Sequence, residues 1–143
     1  GHGYYLFDTS KIKDKKIIDK EKYIENLTQF IADRRIPIEV CFTSNLQTNP
    51  SIGDIKNHSF VQMIRKNICT VFCTDNRTVS KTSVTKEILL AINNFPLSGK
   101  TLRNCITYGF KRSFFPGDYA KKRKYVRKCL DYYDKVTKDV PGF

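Results

Sequence analysis

At 143 residues, with 40% hydrophobic and 13% aromatic side chains, the chain has the size of one domain with a real core, which excludes a disordered segment. No apolar run approaches the roughly 18–20 residues of a membrane-spanning helix and no signal-peptide pattern is present, so no membrane partner is expected. The formal charge of +12 sits largely in "KIKDKK" (Lys11 to Lys16) and "KKRKYVRK" (Lys121 to Lys128), which read first as solvated basic faces, with nucleic acid an unlikely partner.

Gly1 to Gly3 reads as the tail of a strand. The chain opens on Gly1 and its single Met is Met63, so a trimmed, cleaved or tag-derived start is expected. Glu21 to Arg34 predicts a helix with Tyr23, Ile24, Leu27, Phe30 and Ile31 on one stripe, and Pro37 ends any helix before it. Ile38 to Phe42 follows as a strand, in which Glu39 is expected to pair internally, because a buried carboxylate without a partner is too costly. "TSNLQTNPSIGD" (Thr43 to Asp54) has the composition of turns. Phe60 to Lys66 predicts a short helix and Ile68 to Thr74 a second strand. Val84 to Phe95 is amphipathic through Val84, Ile88, Ala91, Ile92 and Phe95. Two further helices are predicted, Ser98 to Phe110 and Asp118 to Lys138. In the latter, Tyr119, Val126, Cys129, Leu130, Tyr133 and Val136 form the packed stripe.

Both strands are continuous apolar runs rather than alternating ones, the mark of strands covered on both faces. Helices separate them, and Cys41 and Cys73 lie thirty-two residues apart, the length of a βαβ unit. Successive βα units with polar residues just after the strands describe an α/β fold of the (β/α)-barrel type, whose functional groups sit at the carboxyl ends of the strands. Asp75 and Asn76 occupy that position. A complete eight-stranded barrel needs about 250 residues, and two strands alone expose both sheet edges, so residues 1–143 read as a piece of one. The five cysteines are odd in number and contain no CxxC pair. No nearby His or Cys completes a zinc site around Cys69 and Cys73, so reduced thiols of an intracellular, cytoplasmic protein are expected.

"GHG" (Gly1 to Gly3), "IPIEVCFTSN" (Ile36 to Asn45), "CTDN" (Cys73 to Asn76), "TKEILLA" (Thr85 to Ala91) and "GFKRSFFP" (Gly109 to Pro116) stand in the order and rough spacing of the adenosine deaminase family. The chain resembles the C-terminal part of such a protein over nearly its whole length. That resemblance implies the C-terminal portion of a (β/α)8 TIM-type barrel with extra C-terminal helices. It further implies a zinc-dependent hydrolase that removes the amino group of adenosine or a related purine as ammonia. By motif match Asp75 is the Zn2+ ligand and His2 the catalytic histidine that orients the attacking water. Gly1 and Gly3 let the backbone pass close to the substrate, and Asn76 contacts the purine. The commonest family pattern has Asp at position 76. The Asn amide always offers the donor that an acceptor ring nitrogen needs, whereas Asp must be protonated to do so. Ser44 and Asn45 match the family's "TSN" element and read equally as turn formers or substrate contacts. His58 reads as structural.

The same family carries an HxH pair and an "HAGE"-like element that complete the zinc site. This chain holds only His2 and His58, and zinc catalysis takes three or four protein ligands. The chain by itself is therefore expected to be inactive, and to need the N-terminal half of the enzyme, as a separate chain or a missing segment. Two alternatives are a basic nucleic-acid-binding module built on the helix from Tyr119, and a catalytically inert barrel remnant.

Overall fold

The computed structural model describes residues 2–141, so Gly1 lies outside the described residues. The chain divides into two compact units, residues 1–95 and 96–143.

In the first unit, helix α1 (Lys20–Asp33) begins at Asp19, whose carboxylate accepts from the Lys22 N–H at 2.8 Å. Its inward stripe is Ile24, Leu27, Thr28 and Ile31, an i, i+3, i+4, i+7 set. Tyr23 and Phe30, expected on that stripe, are 41% and 52% exposed. They lie seven residues apart along the flank, so the buried face is rotated toward Thr28. The helix ends before Pro37, at Arg35, which takes a left-handed φ of 51°. The Ile36 N–H bonds the Ile31 carbonyl and the Arg35 N–H that of Ala32, a paired C-terminal closure.

Strand β1 (Ile38–Val40) starts immediately afterwards. Helix α2 (Phe42–Thr48), two 3-10 turns (Pro50–Ile52 and Ile55–Asn57) and helix α3 (Phe60–Arg65) carry the chain to β2 (Thr70–Phe72). Helix α3 closes in the same way as α1, with Asn67 left-handed at φ 55° and Ile68 N–H on the Met63 carbonyl. The strands pair in parallel, Ile38 with Thr70, Glu39 with Val71 and Val40 with Phe72.

Two expectations are corrected here. The "TSN" stretch is helical rather than a turn, because the chain leaves the sheet at Cys41 and enters α2 at once. Glu39 is exposed, not paired inside the protein. The sheet has two strands among the described residues, so no neighbour on β1's outer edge closes over that carboxylate.

Below the sheet, Phe42 packs against Phe60 and Phe95, each with centroids 5.4 Å away, and Phe60 lies 5.8 Å from Phe72. All four rings are at most 8% exposed, and they anchor the turns that follow both strands. Helix α4 (Arg77–Ser80) follows β2, and helix α5 (Val84–Asn94) is capped by Ser83. The inward positions of α5 are Glu87 and Ala91. Val84 and Ile92, expected to be buried, are 47% and 42% exposed. Apolar periodicity cannot register an inward carboxylate, and Glu87 shifts the buried face.

The second unit is a helix pair. Helix α6 (Gly99–Arg112) is capped by Ser98 and α7 (Tyr119–Thr137) by Asp118. The Arg103 guanidinium grips Asp134 through two bonds of 2.9 Å, a bidentate pair joining the helices. Phe115 stacks on Tyr125 at 5.1 Å. No residue of α7 is fully buried. Tyr119 and Val136 are 75% and 51% exposed, so the packed stripe is narrower than expected, running through Val126, Leu130 and Tyr133.

Candidate active site

A parallel sheet delivers the ends of both strands to one side, and two short helices begin there. Asp75 follows β2 with a left-handed φ of 55°, a conformation that Asp tolerates better than most residues. The turn is held by the Thr74 hydroxyl, which donates to the Asp75 carbonyl at 3.0 Å. Ser44, in the first turn of α2, donates from Oγ to Asp75 Oδ2 at 2.8 Å. The same Oδ2 lies 3.8 Å from His2 Nε2. The structure thus brings together His2 and Asp75, two of the residues singled out by motif, although seventy-three positions separate them in the chain.

Asn45 and His58 complete the surroundings of His2. Asn45 Nδ2 lies 3.1 Å from His2 Nδ1, and Asn45 Oδ1 lies 3.0 Å from His58 Nε2. His58 is buried, flanked by the Phe42 and Tyr4 rings at 5.0 and 5.2 Å. It accepts the Phe60 N–H on Nδ1. Burial pushes its pKa down from 6.5 to about 4, because the charged form loses its hydration.

Gly3 sits beside His2 at φ 60°. A Cβ there would stand 2.6 Å from Ile38 Cγ2 and 3.1 Å from Met63 Cε. Its missing side chain lets the segment lie on the core, a packing duty distinct from the substrate contact expected of it. Asn76 caps α4, its Oδ1 accepting from the Thr78 and Val79 N–H groups at 3.1 and 3.2 Å. Its amide nitrogen takes no part in that cap.

Glu87 is the residue that sequence reasoning missed. It is fully buried, and its carboxylate accepts from the Thr43 N–H at 3.2 Å and the Thr82 hydroxyl at 2.7 Å, with the Thr43 hydroxyl as third donor. Helix α2 has no side-chain cap from its own N-cap residue, Cys41. Glu87, forty-four positions away, supplies the acceptor that the helix start lacks. It thereby holds the turn from which Ser44 reaches Asp75. The inward heptad position within "TKEILLA" was the available signal, and it was masked by the convention that Glu faces water.

Electrostatics set the character of the adjoining thiols. Burial, then the neighbouring Cys73, Asp75 and Glu39, push the Cys41 thiol up to about 12, and burial followed by Glu39 raises that of Cys73. Cys41, Cys69 and Cys105 are buried, and Cys73 and Cys129 are partly so.

Carboxylate and imidazole are donor types that suit zinc. Among the described residues, however, no group of three or more His, Cys, Asp and Glu side chains is arranged to hold a metal ion. The donors present, the Asp75 carboxylate and the His2 imidazole, therefore fit only a share of a zinc site. The side chains of His2 and Asp75 are 30% and 45% exposed, so the cluster is an open mouth. A concavity of about 370 Å3 lined by Tyr4, Asp8, Lys11, Asn49 and Gln62 lies elsewhere and includes neither residue.

A family model described as "Adenosine deaminase" matches residues 1–131. An adenosine deaminase of Mycobacterium sp. (strain KMS) is 30% identical over 118 residues, covering 82% of this chain and 31% of that protein. The apo structure of the N6-methyl-AMP deaminase from Arabidopsis thaliana aligns with a TM-score of 0.63 at 24% identity, over 82% of this chain and 32% of that one. The adenine deaminase from Arthrobacter aurescens aligns with a TM-score of 0.65 at 14% identity, over 84% and 39%. At these identities the structural likeness speaks for the fold. The chain spans about a third of the length of the mycobacterial relative. The resemblance carried by the ordered motifs is borne out.

Proposed function

The chain belongs to the adenosine deaminase family, and on that premise we propose that residues 1–143 are the C-terminal portion of a (β/α)8-barrel, zinc-dependent purine deaminase. The observation that carries this reading is the convergence of Asp75, His2, Ser44 and Asn45 at the carboxyl ends of two parallel strands. Barrel enzymes place their chemistry there.

In this reading Asp75 is the zinc ligand contributed by this chain, its carboxylate held by the Ser44 hydroxyl. Zinc in such a site supplies the Lewis acidity that makes water nucleophilic at neutral pH. His2, on the same side as Asp75 Oδ2, orients that water by a hydrogen bond. The Asn76 amide NH2, free of the α4 cap, donates to an acceptor nitrogen of the purine, and Gly3 lets the substrate approach the backbone. Fixing the carboxylate and the imidazole in advance is where the chain's own residues lower the barrier, because no reorganisation is then needed during the reaction.

Adenosine or a related purine compound is the substrate class. The fold neighbours named for N6-methyl-AMP and adenine make a nucleotide and a free base the natural comparators, with Asn76 at the purine contact where the commonest family pattern has Asp. The remaining ligands come from the N-terminal half of the enzyme, so this chain alone is inactive. No helix among the described residues is long and apolar enough to cross a membrane, and a cytoplasmic location belongs to the same proposal.

The test is reconstitution. The chain is mixed with a polypeptide bearing the HxH and HAGE elements, and zinc content is measured together with ammonia release from adenosine, AMP, N6-methyl-AMP and adenine. Zinc and activity are expected only in the mixture, and both are lost in Asp75→Ala. Full activity of the 143-residue chain alone, or zinc retained undiminished by Asp75→Ala, overturns the reading.

A further inference from the structure

We propose that His58 and Asn45 form a hydrogen-bond relay of fixed direction that sets the His2 ring as its Nε2–H tautomer, with that nitrogen on the side of Asp75. Both are positioning residues for His2. Their catalytic meaning rests on the function proposed above; the tautomer itself does not.

The direction of the relay follows from its first member. The Phe60 backbone N–H has no choice but to donate, and it meets His58 Nδ1 at 3.1 Å. Nδ1 must therefore accept, and a neutral imidazole then carries its single proton on Nε2. That Nε2–H points at Asn45 Oδ1, 3.0 Å away. An amide whose oxygen is used in this way turns its NH2 the other way, and Asn45 Nδ2 lies 3.1 Å from His2 Nδ1. The NH2 donates, so His2 Nδ1 accepts and its proton resides on Nε2. This is the atom 3.8 Å from Asp75 Oδ2.

Burial makes the relay rigid. His58 and Asn45 are 2% and 7% exposed, so water does not compete for their polar atoms, and the Phe42 and Tyr4 rings flank the His58 imidazole. The depressed pKa of His58 agrees with a ring that stays neutral; a second proton on Nδ1 would face the Phe60 N–H head-on. The hydrogen bond made by one ring nitrogen decides which of the two carries the proton.

The experiment is a long-range 1H–15N correlation spectrum of the uniformly 15N-labelled chain at neutral pH. With two histidines in the sequence, every ring nitrogen is assignable. Both rings are expected to show an unprotonated Nδ1 and a protonated Nε2. The decisive variant is Asn45→Asp, which has the same shape and still accepts from His58 Nε2–H but offers His2 an acceptor in place of a donor. A proton is then expected on His2 Nδ1, while the His58 pattern stays unchanged and reports that the fold is intact. A protonated His2 Nδ1 in the wild-type chain overturns the relay, as does an unprotonated one in folded Asn45→Asp. If the variant does not fold, the wild-type spectrum decides alone. In the reconstituted enzyme Asn45→Asp is expected to lower kcat by roughly 10- to 100-fold, the usual size of such effects. The expected tautomers with no ammonia release in any mixture leave the relay standing and remove its catalytic meaning. Ammonia release with the wrong tautomer removes the relay and leaves the proposed function.

Discussion

Replacing Glu87 tests whether one buried carboxylate organises the mouth of the sheet. The side chain is fully buried and serves three donors: the Thr43 N–H and the hydroxyls of Thr43 and Thr82. Glu87→Ala removes all three acceptors at once. Hydrogen bonds to a charged group contribute about 1.5–3 kcal/mol each, and relief from burying the charge offsets part of the sum, so a net loss of about 2–4 kcal/mol is expected. Glu87→Gln should behave differently. Its amide oxygen can take the Thr43 N–H, and its NH2 can donate to the two hydroxyls, which rotate to accept. All three bonds survive in neutral form, at a cost of about 1 kcal/mol. The assay is hydrogen exchange at the Thr43 amide, with urea denaturation beside it. The alanine variant should speed that exchange by roughly thirty- to a thousand-fold, at tenfold per 1.4 kcal/mol. A glutamine variant as damaged as alanine, or an alanine variant that costs under about 1 kcal/mol, refutes the cap.

Three further outcomes are expected. His58 has a folded pKa of about 4 against an ordinary 6.5, so between those values the unfolded chain holds more protons. Its stabilising contribution is therefore complete above pH 6.5 and is lost as pH falls through about 4, a change of about 3 kcal/mol; urea midpoints across that window should fall, and His58→Gln should flatten this component of the slope. Gly3→Ala must place a Cβ 2.6 Å from Ile38 Cγ2 at a left-handed φ, costing about 2–4 kcal/mol from backbone strain and overpacking together; an unchanged denaturation midpoint would show that the segment lies elsewhere. Cys41, buried and with its thiol at about 12, presents about one thiolate in ten thousand at pH 8. Iodoacetamide should leave it unmodified in the native chain and label it in urea, as peptide mass spectrometry will show.

Much of the framework was legible because it is local. The helix starts at Asp19, Ser83, Ser98 and Asp118 each rest on a side-chain oxygen that accepts the N–H three residues on. That reach lies within a short stretch of sequence. The two apolar runs ending at Thr74 and Phe42 were likewise readable as neighbouring parallel strands, and their polar ends marked Asp75. The match to family motifs placed His2 with it.

What only the tertiary structure decided is contact across long chain separations and the orientation of each helix. Helix α2 is built from Thr, Ser and Asn residues that favour turns, and it forms with a start capped by Glu87 from another helix. Tyr23, Phe30, Val84 and Ile92 satisfy apolar periodicity yet face outward, because what a helix buries depends on the surface it meets. Glu39 is exposed because sheet neighbours, not its own strand, determine whether a carboxylate is covered. The relay from His58 through Asn45 to His2 spans thirteen positions in one step and forty-three in the next. Sequence patterns record forces that act over a few residues, whereas hydrogen bonds at these separations exist only once the parallel register of β1 and β2 has brought the ends of both strands together.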